Sequence, residues 1–99
     1  MSKFGELIDV EIPVLLAFYN QWDANKTQTQ HQNLHDVAAT LGNKVKVIKI
    51  DVDKNKDLAE ALRIKTLPTL IVYKHGEMKW RQSGEQQAND IIAKVEAYI

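Results

Sequence analysis

Six consecutive apolar residues, Val14-Leu15-Leu16-Ala17-Phe18-Tyr19, constrain the fold of this chain more than any other stretch. Pro13 stands just ahead of them, a position that suits the first residue of a strand. The run is apolar at every position, so a strand built from it has no polar face to show to water. Both of its faces must be covered, as in the central strand of a sheet that lies between layers of helix. A second run, Leu70-Ile71-Val72-Tyr73, begins directly after Thr66-Leu67-Pro68-Thr69. Two such strands predict an α/β architecture.

The rest of the chain supplies the layers. Phe4, Leu7 and Ile8 stand at i, i+3 and i+4 and predict a short N-terminal helix. A longer helix is expected from about Asn25 to Leu41, with Leu34, Val37, Ala38 and Leu41 on its core side and Gly42-Asn43 ending it. Val45 to Val52 is rich in β-branched residues and reads as a second strand. The helical crossover makes it parallel to the first, with a right-handed connection. Asp53 is placed as the cap of a short helix that buries Leu58, Ala61 and Leu62. Thr69–Lys74 and Glu77–Ser83 form a hairpin around His75-Gly76, in which Tyr73, Met78 and Trp80 read as packing residues. Ala88, Ile91, Ile92, Val95 and Ile99 share one stripe of a final helix. The order α-β-α-β-α-β-β-α gives a mixed four-stranded sheet with helices on both faces, in a single domain over residues 1–99.

Composition removes several function classes. Thirteen basic residues balance thirteen acidic ones, which leaves no net field for nucleic acid or an anionic membrane. Four glycines include no phosphate-cradling loop. His31 and His35 lie one helical turn apart, but Gln32 occupies the place where a zincin pattern requires glutamate, so they read as a surface pair with no third ligand. Neither a metal nor another cofactor is expected. The start of the chain lacks the apolar core of a secretory signal, and no stretch has the length of a membrane span, so a cytoplasmic location is expected. The chain contains no cysteine, which excludes disulfides, thiolate ligands and thiol catalysis together.

That last absence matters because of what surrounds it. The first apolar run leads through Asn20-Gln21 into Trp22-Asp23-Ala24-Asn25-Lys26, and the second follows Leu67-Pro68-Thr69. From about Pro13 to Ile99 this layout resembles the thioredoxin family. There, a first strand ends in Trp-Cys-Gly-Pro-Cys-Lys, and a cis-proline loop reading Ile-Pro-Thr precedes a later strand. The resemblance implies the thioredoxin-like fold and, ordinarily, disulfide exchange. Asp23 takes the place of the first cysteine, where a carboxylate can cap the helix but cannot attack a disulfide. The second place falls on Lys26, counting from Trp22, or on Thr27, counting back from Leu34. The family's buried aspartate of the first strand is Ala17, while its companion lysine is kept as Lys49. Two readings of Lys49 stand side by side: an exposed lysine that protects a sheet edge, or a cation directed toward the space left by Ala17 and less solvated than Lys44 or Lys46.

By the same resemblance, the peptide-contacting surface is partly kept. Thr66, Leu67 and Pro68 match the cis-proline loop, Gly84 matches the glycine that completes a groove, and Trp22 matches an exposed tryptophan beside Asp23. Ser83 stands where an apolar neighbour is usual. Trp22 is either an interface anchor or packing for its own loop. The expected function is therefore a redox-inactive binding module for a protein or extended peptide, using Trp22, Asp23, Thr66, Leu67, Pro68 and Gly84. Resemblance alone would instead assign a thioredoxin in redox homeostasis. A third possibility is an assembly role for the polar helix stretch from Thr27 to Asn33. An enzyme of another chemistry, built on Asp23 and Lys26, lacks a convincing acid–base or nucleophilic pair.

Overall fold

The computed structural model describes residues 3–20 and 24–99, with only the backbone described for Lys3 and residues 24–29. Trp22 and Asp23 lie outside the described residues. The elements are α1 (Lys3–Ile8), β1 (Val14–Tyr19), α2 (Ala24–Leu41), β2 (Lys46–Asp51), α3 (Lys56–Ala61), β3 (Thr69–Lys74), β4 (Glu77–Ser83) and α4 (Ala88–Glu96), with a 3-10 turn over Gly42–Lys44. The strands form one sheet in the order β2-β1-β3-β4. β1 pairs parallel with β2 and antiparallel with β3, and β3 pairs antiparallel with β4.

The two central strands explain the apolar runs. Side chains of a strand alternate between faces, and here each face feeds a separate core. Leu15, Ala17, Leu70 and Val72 meet Leu34, Val37 and Leu41 of α2 and Ile91 and Val95 of α4. Val14, Leu16, Phe18, Ile71 and Tyr73 face the other way, onto Ile8, Ile50 and the half-buried Phe4, Leu58 and Leu62. β1 and β3 are thus buried on both sides, and the helices lie α2 and α4 on one face, α1 and α3 on the other. None of the helices among the described residues is long and apolar enough to cross a membrane.

Several expectations change in detail. Val45 is buried but precedes β2, and Val52 follows it. Asp53 does not cap α3, whose N-cap position is Asn55; the Asp53 N–H instead donates to the Asp51 carboxylate at 2.9 Å. Asp51 can do this because it is the last residue of β2, where its carboxylate reaches the turn that follows. A start at Lys56 also turns Ala59 inward and leaves Ala61 exposed. Leu7, Ala38 and Ile99 are exposed rather than core. Leu7 and Ala38 lie outside the stripe that the neighbouring layer covers, and Ile99 lies beyond the end of α4 at Glu96. The hairpin turn has both His75 (φ 54°) and Gly76 (φ 78°) in the left-handed region, the geometry of the tightest hairpin connections. A register shift at Val72/Tyr73 pairs Val72 with Trp80 and Tyr73 with Met78. Strict alternation would place Met78 and Trp80 on the same face, but this bulge separates them. Trp80 packs against the α2/α4 core, whereas Met78 is 45% exposed.

Phe18 is fully buried on the α1/α3 side. Phe18→Ala is expected to destabilise the fold by about 3–5 kcal/mol, read as a lower denaturation midpoint by circular dichroism. A cost under about 1 kcal/mol would mean that this core is looser than its burial indicates.

Candidate functional site

The loop that carries Thr66, Leu67 and Pro68 is fixed from both ends. Where α3 ends, Arg63 adopts a left-handed conformation (φ 55°), and the Ile64 N–H donates to the Ala59 carbonyl at 2.9 Å. The Arg81 guanidinium reaches across from β4 and donates to the Leu62 carbonyl at 2.6 Å and the Arg63 carbonyl at 2.9 Å. Those carbonyls stand at a helix C-terminus, where partners within the helix run out. Ile64 and Leu67 then pack on the α1/α3-side core.

The Leu67–Pro68 peptide bond is cis. Immediately after it, the Thr69 hydroxyl donates back to the Thr66 carbonyl and lies 3.4 Å from the Ser83 hydroxyl. Gly84, at φ 93°, donates its N–H to the Pro68 carbonyl at 2.8 Å. The fold thus brings Thr66, Leu67, Pro68 and Gly84 together. Thr66 is exposed, Leu67 and Gly84 are half-buried, and Pro68 is buried. The proline shapes the loop from beneath, leaving Thr66 and Leu67 to form its surface. Among the described residues, no hydrogen bond engages the Leu67 backbone.

Strand register sets where this loop sits. Thr69 pairs with Phe18, so residues 66–68 lie at the end of the sheet where the chain leaves β1 toward α2. Asp23 and Trp22 belong to that connection and fall outside the described residues. Lys26 and Thr27 lie in the first half of α2, where the backbone alone is described.

In the middle of β1, Ala17 pairs with Lys49 on one side and with Leu70 on the other. Lys49 therefore shares the Ala17 face, but it is exposed, as Lys44 and Lys46 are. That exposure agrees with the reading of Lys49 as a lysine of an open sheet edge. β2 is a sheet edge, so a long side chain there reaches water without crossing the core. His31 on α2 packs edge-on against Tyr19, with ring centroids 4.9 Å apart. Burial and, secondarily, the Lys49 charge push its pKa below the usual histidine value. His35 is exposed, and among the described residues no group of three or more His, Cys, Asp or Glu side chains is placed to hold a metal ion.

Sequence reasoning missed Gln30, which is 1% exposed and has no hydrogen-bond partner for either amide atom among the described residues. A signal was available, because Gln30 lies four residues before Leu34 and seven before Val37, on the extension of the core stripe. The polar stretch from Thr27 to Asn33 is accordingly not one exposed face. Asn33 donates to the Gln86 carbonyl at 2.9 Å, and Gln32 is the exposed residue among its described side chains.

Two outcomes follow from this geometry. A histidine with a lowered folded-state pKa contributes stability in full above its unfolded value, and that contribution is lost as pH falls through the folded value. Acidification below about pH 6.5 should therefore destabilise the protein, and His31→Gln should flatten that part of the pH–stability curve. An unchanged slope in denaturation series would refute the assignment. Gly84→Ala meets open space but must adopt a positive φ. It should cost about 1 kcal/mol or more, whereas an unchanged midpoint would show that the loop relaxes freely.

Comparison with known proteins agrees with this architecture. The thioredoxin family model matches residues 1–97. Thioredoxin Y, chloroplastic, of Oryza sativa subsp. japonica is 37% identical over 99 residues, which cover 99% of this chain and 58% of the rice protein. The chain therefore spans little more than half of that relative's length. Thioredoxin-like protein slr0233 of Synechocystis is 34% identical over 88% of this chain and 82% of its own length. Among solved structures, the N21Q mutant thioredoxin from Halobacterium salinarum superposes with a TM-score of 0.82 at 31% identity, covering 94% of this chain and 82% of that one. Fasciola hepatica thioredoxin, at 20% identity and a TM-score of 0.86, shares the fold. With the sheet order, the cis-proline loop and the sequence match in agreement, this chain belongs to the thioredoxin family.

Proposed function

We propose that this chain is a redox-inactive thioredoxin-like binding module that holds a protein or an extended peptide against the surface of Thr66, Leu67 and Gly84, beside Trp22 and Asp23. The observation that carries this reading is a loop before β3 that hydrogen bonds from Gly84 and Thr69 hold in place, in a chain that has no cysteine. Disulfide exchange proceeds by attack of a thiolate on sulfur, and this chain has no thiol to supply. Pairing an extended segment with a backbone edge needs none. The Leu67 backbone, unengaged among the described residues, offers such an edge, and Trp22 is assigned the role of apolar anchor. Pro68 acts from below, through the shape it gives the loop. No role is assigned to nucleic acid, membrane or cofactor. A cytoplasmic location belongs to the same proposal. The rice relative's name places that protein in the chloroplast, and fractionation of the native host decides between the compartments.

The alternative of an active thioredoxin requires turnover. In a dithiothreitol-coupled insulin reduction assay the protein should match the no-protein control, and stimulation above it would overturn the redox-inactive reading. For binding, Trp22→Ala should weaken a captured complex by about 2 kcal/mol or more, as for a buried hot-spot aromatic, with the fold unchanged by circular dichroism. Lys94→Ala, exposed on α4, should have little effect. Partners that bind the Trp22→Ala protein equally well would place the working surface elsewhere.

A further inference from the structure

The loop that ends at Pro68 has a second surface feature. An open pocket of about 620 Å³ lies between the end of β2, α3 and the chain leading to Thr66. Val52, Ala59 and Ile64 supply its apolar lining, and Lys56, Arg63 and Lys65 stand exposed around it. Asp53 and Glu60 also line it, so three cations face two acids in a chain whose overall charge is balanced. Among the described residues, none of the three cations is engaged in an ion pair.

Two further observations mark the pocket as held in shape. Arg63 keeps a left-handed backbone, which glycine would adopt at lower cost, yet the position carries a long cation. Its carbonyl and that of Leu62 are both held by Arg81, which fixes the direction in which the chain leaves α3. Ile64 and Lys65 lead directly into Thr66 and Leu67, so the pocket adjoins the proposed binding loop.

We infer that the pocket selects an acidic peptide segment, seating an apolar side chain over Val52 and Ile64 while Lys56, Arg63 and Lys65 engage flanking carboxylates. This deepens the proposed peptide-binding reading and rests on it. The lining rewards an apolar side chain by removing it from water. The cations are exposed, so each contributes modestly and is screened by salt. Selectivity arises from the excess of these three cations over Asp53 and Glu60 along one segment.

The test uses a short synthetic peptide alternating Glu with Val, beside its Gln–Val counterpart, titrated into the labelled protein and followed by amide NMR shifts. The Glu peptide should perturb Val52, Lys56 and Arg63 to Lys65 together with Thr66, Leu67 and Gly84, and bind more tightly than the Gln peptide in low salt. Combining Lys56→Ala, Arg63→Gly and Lys65→Ala should weaken the Glu peptide roughly tenfold and leave the Gln peptide unchanged. Glycine tolerates the Arg63 backbone, so the combined variant keeps its fold. Shifts confined to Thr66, Leu67 and Gly84, or equal binding of both peptides, overturn the pocket while leaving the binding loop in place. Shifts confined to the pocket, with the same charge selectivity, support the pocket and refute the loop. Absence of shifts at both places overturns both.

Discussion

β1 has no face that tolerates water, and most of the architecture follows from covering it. Val14, Leu16 and Phe18 need one layer, Leu15 and Ala17 need another, and the flanking strands cannot supply either. α2 and α4 close one side; α1 and α3 close the other. β3 has the same two-sided burial and shares both cores. Placing these strands side by side gives two hydrophobic layers a common centre. The edge strands β2 and β4 are then free to be polar. β2 carries the exposed Lys46 and Lys49, and β4 carries Lys79, paired with Glu77 at 2.8 Å. Charges of this kind discourage sheet-to-sheet pairing at an open edge.

The same arrangement locates the proposed binding surface without reference to a thiol. The β1–β3 register brings the loop before β3 to the end of β1. The loop is held there by Gly84 on Pro68, Thr69 on Thr66 and Arg81 on the end of α3. None of these bonds involves the positions occupied by Asp23, Lys26 or Thr27. A chain can therefore lose the family's cysteines and keep the geometry of this loop, because the two rest on different residues.

Some of this was legible in the sequence. The hairpin bounds, Thr69–Lys74 and Glu77–Ser83, follow from two strand-forming runs about a His-Gly turn, where local chemistry and tertiary pairing agree. The cis-proline loop was legible through resemblance. What escaped depends on geometry between elements. Ala59 rather than Ala61 faces inward because the start of α3 is set by the turn after β2, held by the Asp51 carboxylate. Met78 emerges because a bulge breaks the alternation. Gln30 extends the apolar stripe of α2, but its polarity hides it from a search for apolar residues.

The central claim is that the surface binds without sulfur chemistry. It is tested most directly by affinity capture from the native host, run in parallel with and without reductant, using the unaltered chain and Trp22→Ala. The account predicts the same captured partners at the same affinity in both conditions, with capture weakened on Trp22→Ala while circular dichroism shows the fold retained. Complexes that form only without reductant, or that ignore the Trp22 substitution, would contradict it.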